Sequence, residues 1–398
     1  MTETSELFDV VVVGGGPSGA TAAHDLAQLG RNVLLLDRAG RIKPCGGAIP
    51  PRLIRDFEIP EHLLVARVNC ARMLSPSDVQ VDMPIDGGFV GMVDREVFDE
   101  FLRERAADAG AKRRTGIFKR FDRDDRGITI VTYEERGGDG TVTERFLRTR
   151  ALIGADGALS AVARQCLPGA DRLPYVFAYH EIVRAPAEHS FDGKRCDVYY
   201  RGTVSPDFYG WVFPHGDTVS VGTGSARKGF SLRDSVGSLR DAAGLGCVET
   251  IRREGAPIPL RPLPRWDDGH SVLLAGDAAG VVAPASGEGI YYAMAGGRLA
   301  AEAVDLFLET GQAKALRTAR KRFMKMHGTV FWILGVMQWY WYSNDRRRER
   351  FVSICRDRDV QRLTWDAYMN KQLVRAKPIA HVKIFFKNLA HMAGLVRA

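Results

Sequence analysis

Apolar positions fall in three rhythms along this chain. Near the N-terminus they are continuous: Val10, Val11, Val12 and Val13 form an unbroken β-branched run, which suits a strand buried on both faces. Residues 17–29 read as a helix, and a second continuous run at 33–36 predicts the next buried strand. Alternating segments follow near 66–73 and 80–83, then a helix from Asp94, a candidate N-cap, to about residue 109. Strands are expected at 112–120, 127–134 and 141–148, with a further buried strand at 151–153. From about 174 to 260 the period is mostly two, with turns at Asp192-Gly193, His215-Gly216-Asp217 and Ala256-Pro257, so an antiparallel sheet is expected there as an inserted second domain. Another buried run, Ser271 to Ala275, precedes a glycine-containing turn. From about residue 287 onward the pattern is helical, with Pro378 the exception to a near absence of proline. There are no internal repeats and no low-complexity segment.

A chain of 398 residues with 45% hydrophobic content is long enough for two domains and can fill a sizeable core. The six cysteines are scattered without a C-x-x-C pair, which excludes a zinc or disulfide framework, implies no metal site, and fits a reducing compartment. The first strand begins too early to leave room for a signal peptide, and no apolar run is long enough to span a bilayer. The formal charge of +8 sits in the tail: residues 343–398 hold 13 Lys and Arg against 5 Asp and Glu, so the rest is close to neutral. Just upstream runs an aromatic-rich stretch containing Phe331, Trp332, Trp339, Tyr340, Trp341 and Tyr342, and Arg346-Arg347-Arg348 follows. Rings beside a basic cluster suit the surface of an anionic membrane, or a core helix with a solvated charged end. No recognised nucleic-acid module accompanies the basic residues, so no nucleic-acid partner is expected.

Candidate chemistry begins at Gly14-Gly15-Gly16-Pro17-Ser18-Gly19, between the first strand and the first helix. Gly14 makes the tight turn, Gly16 lets a pyrophosphate approach the backbone, and Gly19 lets helix and strand lie close. The N–H groups at the start of the helix face the pyrophosphate. Asp37, at the end of the second strand, can accept from a ribose 2′-OH, which favours FAD or NAD over a 2′-phosphorylated cofactor.

Two more motifs follow: Gly154-Ala155-Asp156-Gly157 with Ser160 and Arg164, and Gly276-Asp277-Ala278-Ala279-Gly280 with Pro284 and Gly287-Glu288-Gly289-Ile290. In order and spacing the three resemble the FAD-binding motifs of the hydroxybenzoate-hydroxylase-like flavoproteins. The resemblance implies an α/β fold with a Rossmann-like FAD-binding domain, an inserted antiparallel-sheet substrate domain and a helical C-terminal region. It implies that Asp277 hydrogen-bonds the ribityl chain, that Gly287, Gly289 and Ile290 bring a helix N-terminus to the flavin pyrimidine, and that Asp156 lies near the pyrophosphate or contacts the reducing nucleotide. The expected division is 1–173 with 262–310 for FAD, 174–261 for substrate and 311–398 for the helical region. There is no second complete Gly-x-Gly-x-x-Gly, so a nicotinamide donor would dock transiently.

The inserted segment contains Pro206-Asp207-Phe208-Tyr209-Gly210-Trp211-Val212-Phe213-Pro214, which is similar to the P-x-x-Y-x-W-x-F-P motif of the geranylgeranyl reductase family. Cys45-Gly46-Gly47-Ala48 resembles that family's segment near the flavin, and Arg95 its FAD-contacting arginine. Asp357 to Trp365 resembles the photosynthetic branch, which saturates three of the four double bonds of a geranylgeranyl chain to give phytyl. The resemblance implies NADPH as reductant of FAD, and geranylgeranyl-(bacterio)chlorophyll or geranylgeranyl diphosphate as substrate. It also implies a cytoplasmic location, peripheral on the cytoplasmic face of a photosynthetic membrane. In strand geometry Tyr209, Trp211 and Phe213 share one face, a broad apolar wall suited to an isoprenoid. For the proton donor Tyr209, Cys45, His215 and a bound water all stand, with Cys45 also readable as a small residue near the flavin and His215 as an exposed turn residue. Two other classes share the flavin motifs: an aromatic FAD monooxygenase, and a non-catalytic flavin-containing membrane or pigment-binding protein. A lone Cys45 argues against dithiol chemistry, and the Trp-x-Trp-x-Ile-Pro halogenase signature is absent.

Overall fold

The computed structural model of the chain describes residues 6–38, 40, 42, 43, 45–186 and 191–371. Pro44 and the basic tail after Lys371, with Pro378, lie outside the described residues. The chain divides into two units. Met1–Ile42, Glu96–Tyr175 and Pro257–Phe331 form the first, and Lys43–Arg95, Val176–Ala256 and Trp332–Ala398 the second.

The first unit is built on a parallel sheet. The strand Leu7–Val13 pairs with Val33–Asp37 on one side and with Val142–Gly154 on the other. Lys112–Thr115 and Val272–Leu274 extend the sheet on its two sides, also in parallel. Val10–Val12, Leu34, Leu36, Leu152, Ile153 and Val272–Leu274 have no exposed surface, as continuous β-branched and leucine runs require of strands covered on both faces. The two strands expected at 141–148 and 151–153 are one strand. The polar dip at Thr149 does not break it, because the buried Thr149 hydroxyl donates to the Ala151 carbonyl at 2.7 Å. Its first half pairs antiparallel with Thr129–Arg136, which pairs in turn with Ile117–Arg123. The single strand expected at 112–120 is instead two, divided at Gly116, where a Cβ would meet the Tyr133 ring at 2.4 Å.

The second unit carries a seven-stranded sheet in the order Thr250–Pro259, Tyr175–Arg184, Thr218–Ser225, Gly210–His215, Arg195–Tyr199, Cys70–Leu74, Gln80–Pro84. Arg195–Tyr199 pairs with Cys70–Leu74 in parallel. The pairs from Tyr175–Arg184 across to Arg195–Tyr199 are antiparallel, as is Cys70–Leu74 with Gln80–Pro84. The turn expected at Ala256-Pro257 lies inside the strand Thr250–Pro259, which forms the sheet's edge and so tolerates a residue without an N–H. One face of the sheet, with Val183, Val212, Val219 and Val221, packs on Val236 and Leu239 of a helix, Leu232–Ala242, that the period-two pattern does not predict. Residues 43–95, expected with the FAD-binding part, group with the second unit instead, because two of their strands complete its sheet. Residues 311–331, expected with the helical end, group with the first unit.

Candidate active site

In the first unit the glycine loop is shaped by close approaches. Gly14 has φ +103°, and a Cβ there would lie 2.4 Å from the Ala155 carbonyl oxygen. A Cβ at Gly19 would sit 1.9 Å from the carbonyl oxygen of Gly14, which locks the start of the helix Pro17–Gln28 onto the turn. Gly16 differs: among the described residues its Cβ would meet nothing within 4 Å, at the very N-terminus of that helix. Ser18 is buried between Gly276 and Gly297, and its hydroxyl has no hydrogen-bond partner among the described residues. An open backbone cradle, an unsatisfied hydroxyl and a helix N-terminus together suit a bound pyrophosphate.

Asp37 ends its strand with its carboxylate partly exposed, 3.6 Å from the Arg103 guanidinium. Arg103 also donates to the Gly15 carbonyl at 3.2 Å. The sequence motifs do not point to this arginine, and its place on a polar helix face carries no signal that would single it out. Asp277 is buried, and lies 3.9 Å from where a Gly289 Cβ would be, beside the first turn of the helix Ile290–Thr310. Gly287 turns the chain into that helix with φ +64°. The first and third motifs therefore converge within one unit.

Asp156 lies beside the glycine loop, with its side chain turned to its own helix. Its carboxylate accepts from the Ser160 hydroxyl at 2.5 Å and from the N–H groups of Ala161 and Val162 at 2.7 and 3.3 Å. The side chain is committed to the N-terminus of the helix Ala161–Cys166, and what it offers the glycine loop is its Cα, 2.9 Å from the Gly14 Cβ position. Burial pushes its carboxyl above the usual carboxylate range, against those hydrogen bonds.

In the second unit the strand Gly210–His215 carries Trp211 and Phe213, and Tyr209 immediately precedes it. The Tyr209 and Trp211 rings are 6.1 Å apart and the Trp211 and Phe213 rings 6.4 Å apart, one row on one face. The neighbouring strand Thr218–Ser225 alternates Val219 and Val221 on the helix-covered face with Ser220, Gly222 and Gly224 on this one. That choice gives Trp211 its place: a Cβ at Gly222 would lie 2.2 Å from its ring. Asp207 anchors the motif's first turn by accepting from the Ser225 hydroxyl and the Ala226 N–H. The loop Cys45-Gly46-Gly47 lies across the same face. A Cβ at Gly46 would meet the Phe213 ring at 2.9 Å, and one at Gly47 would meet the His215 Nε2 at 2.5 Å. Gly47 donates its N–H to the Cys45 sulfur at 3.4 Å and accepts from the Val93 N–H at 2.9 Å. Ala48 begins a short strand paired with Met92, and Arg95, buried, opens the helix Arg95–Asp108.

His215 corrects the reading of an exposed turn residue. It ends the strand, is 8% exposed, and sits within hydrogen-bond distance of the Phe213 carbonyl at 3.1 Å through Nδ1. Burial pushes its imidazole down from 6.5 to about 4. The Phe213 carbonyl and Asp94 oppose that shift, while His180 and Arg252 add to it. A neutral ring whose one proton faces a carbonyl is a poor acid at neutral pH, so Tyr209 and Cys45 remain as protein donors. The shift also sets a pH dependence. The unfolded chain takes up this proton near 6.5 and the folded chain only near 4, so the contribution is complete above 6.5 and falls away toward 4. It amounts to about 3 kcal/mol at the limit. Denaturant titrations across this window should show a steeper acid loss for the wild type than for His215→Asn, and equal slopes would contradict the buried neutral ring.

Comparison with known proteins places the chain. The sequence model of the FAD dependent oxidoreductases matches residues 9–48. The geranylgeranyl diphosphate reductase of Rhodobacter capsulatus is 59% identical over 390 residues, covering 98% of each chain. The chain belongs to the geranylgeranyl reductase family. The chloroplastic geranylgeranyl diphosphate reductase of Oryza sativa subsp. japonica is 37% identical over 408 residues, 98% of this chain and 86% of that one. The family's enzymes are flavin oxidoreductases acting on carbon–carbon double bonds. The crystal structure of a geranylgeranyl bacteriochlorophyll reductase-like protein of Thermoplasma acidophilum shares the fold, at 22% identity and a TM-score of 0.79, covering 94% of this chain and 99% of that one.

Proposed function

We propose that this protein reduces three of the four double bonds of a geranylgeranyl group to give phytyl, using FAD reduced by NADPH, with the group esterified to bacteriochlorophyll or chlorophyll, or present as the diphosphate. The observation that carries the reading is the row Tyr209, Trp211, Phe213 with the loop Cys45-Gly46-Gly47 laid across it. Gly14, Gly16, Ser18, Gly19, Asp37 and Asp277 would hold the cofactor. When bound and reduced, FAD supplies a hydride to one alkene carbon. An isolated alkene has no polar handle, so the protein's share is to hold it by shape and keep water away. The aromatic row does the first and the covering loop assists the second. The proton for the other carbon comes from Tyr209, Cys45 or a bound water. Incubating the protein anaerobically with NADPH and geranylgeranyl-bacteriochlorophyll tests the reading. Mass gains of two, four and six hydrogens are expected. A flavin that NADPH reduces, with no mass gain on either the pigment or geranylgeranyl diphosphate, would overturn it.

The substrate's greasy chain suits a protein at a membrane surface. No helix among the described residues is long and apolar enough to cross one. The helix Arg317–Trp341 nevertheless exposes Trp332 at 69%, Val336 at 44% and Trp339 at 75%, spaced so as to share one face. We assign this face to the cytoplasmic surface of an anionic, photosynthetic membrane, with Arg346 and Arg347 providing the attraction; Arg348, expected with them, is instead buried on Asp345 and the carbonyls of Pro206 and Tyr342. Replacing Trp332 and Trp339 together by serine should lower co-sedimentation with anionic vesicles at least about tenfold. Undiminished binding would remove the assignment.

A further inference from the structure

Behind the aromatic row lies a buried polar chain that the reaction as described does not use. The Trp211 indole Nε1–H donates to the Ser220 hydroxyl oxygen at 3.1 Å. Ser220 lies 3.0 Å from Nδ1 of His180, and Nε2 of His180 lies 2.6 Å from the Glu254 carboxylate. Glu254 is ion-paired with Arg252 at 3.0 Å, and Arg252 with Asp94 at 3.3 Å. His180 is 2% exposed, Ser220 has no exposed surface and Trp211 is 6% exposed. Strand register explains the assembly: Trp211 and His180 both stand opposite Gly222 on neighbouring strands, and Ser220 is one step along on the same face.

The donors fix the direction of the chain. An indole nitrogen only donates, so Ser220 accepts from it. With the imidazole neutral, the Glu254 carboxylate takes the Nε2 proton and Nδ1 accepts the serine's own. Every group is satisfied in this order, and it ends on a carboxylate held by an arginine. Such a network specifies one orientation, because rotating the indole would strand a buried donor and an acceptor at once.

We propose that Ser220, His180 and Glu254 are positioning residues for alkene reduction: they fix the plane of the Trp211 indole, and through it the isoprenoid double bond. The inference rests on the reading of the aromatic row as the substrate wall. An alkene offers no hydrogen bond by which to be aimed, so its placement is only as sharp as the wall is rigid. A misplacement of about 1 Å can cost on the order of a hundredfold in rate.

The test is single-turnover reduction of geranylgeranyl diphosphate by prereduced holoenzyme, with steady-state kcat and KM alongside. Ser220→Ala removes the hydroxyl that joins indole and imidazole. It should lower the alkene-reduction rate about tenfold or more with a much smaller change in KM, while NADPH still reduces the bound flavin at the wild-type rate. Ser220→Thr keeps the hydroxyl and should restore the rate. Trp211→Phe lacks the indole donor, so adding Ser220→Ala to it should cost nothing further. Rate and thermal stability falling together in Ser220→Ala without rescue by threonine, or a full additional loss in the Trp211→Phe background, would overturn the proposal. Wild-type enzyme that saturates no double bond would instead overturn the function it rests on.

Discussion

Alanine at Gly16 should leave the apoprotein as stable as the wild type and sharply weaken its hold on FAD. The position is extended, with φ −73° and ψ −178°, a conformation any residue adopts. Its Cβ would touch no atom of the described residues within 4 Å, so nothing in the described fold requires glycine there. What the methyl group would occupy is the space in front of the helix Pro17–Gln28, where a pyrophosphate meets the backbone N–H groups. A methyl group set against a bound pyrophosphate costs about 1–3 kcal/mol in strain alone, and the displaced phosphate loses its hydrogen bonds as well. A fall in FAD affinity of about a hundredfold or more is expected, read by flavin fluorescence on unfolded and rebound protein. Gly19→Ala is the contrasting case. Its Cβ would lie 1.9 Å from the Gly14 carbonyl, so both stability and FAD should be lost. Normal FAD binding by Gly16→Ala would place the cofactor elsewhere.

That contrast shows why the cradle is legible in the sequence. Gly14 and Gly19 constrain each other within one turn of chain, and Gly16 answers to a ligand, so the spacing records both. The aromatic row is legible for a similar reason: Trp211 and Phe213 are spaced by two, a strand puts them on one face whatever it pairs with, and Tyr209 continues the spacing just before the strand begins. The burial of His215 is not legible. It reads as a turn residue because Gly216 and Asp217 follow it. It is buried partly because Gly47, distant in sequence, brings a loop down on its Nε2. The chain from Trp211 to Glu254 depends on the alignment of four strands, which no local pattern encodes. The grouping of residues 43–95 with the second unit is not legible on the same account, since the parallel pairing of Cys70–Leu74 with Arg195–Tyr199 is a long-range choice. The helix Leu232–Ala242 is a different failure. Its Ser231 cap and the spacing of Leu232, Val236 and Leu239 are local and readable, but the surrounding alternation masks them.

The largest loss of turnover expected from a single methyl group outside the nucleotide cradle is at Gly47. Its φ is +69°, where an L-residue pays roughly 1–2 kcal/mol, and its Cβ would lie 2.5 Å from both the His215 Nε2 and the Val93 carbonyl oxygen. Neither neighbour yields easily. The imidazole is oriented by its contact with the Phe213 carbonyl, and Val93 is tied to Gly47 itself through its N–H. The loop must therefore lift, and Cys45 and Gly46 lift with it from the Phe213 ring. If that loop closes the space in which the isoprenoid is held, Gly47→Ala should lower alkene reduction by about a hundredfold. Bound flavin, measured in the same preparation, separates the two ways this can happen. Retained FAD with lost turnover assigns the loop to closing the substrate face, whereas lost FAD assigns it to the cofactor. Adding His215→Ala removes one of the two collisions but not the one with the Val93 backbone, so a partial return of activity is expected. Wild-type turnover by Gly47→Ala would mean that the loop over the aromatic row plays no part in the reaction.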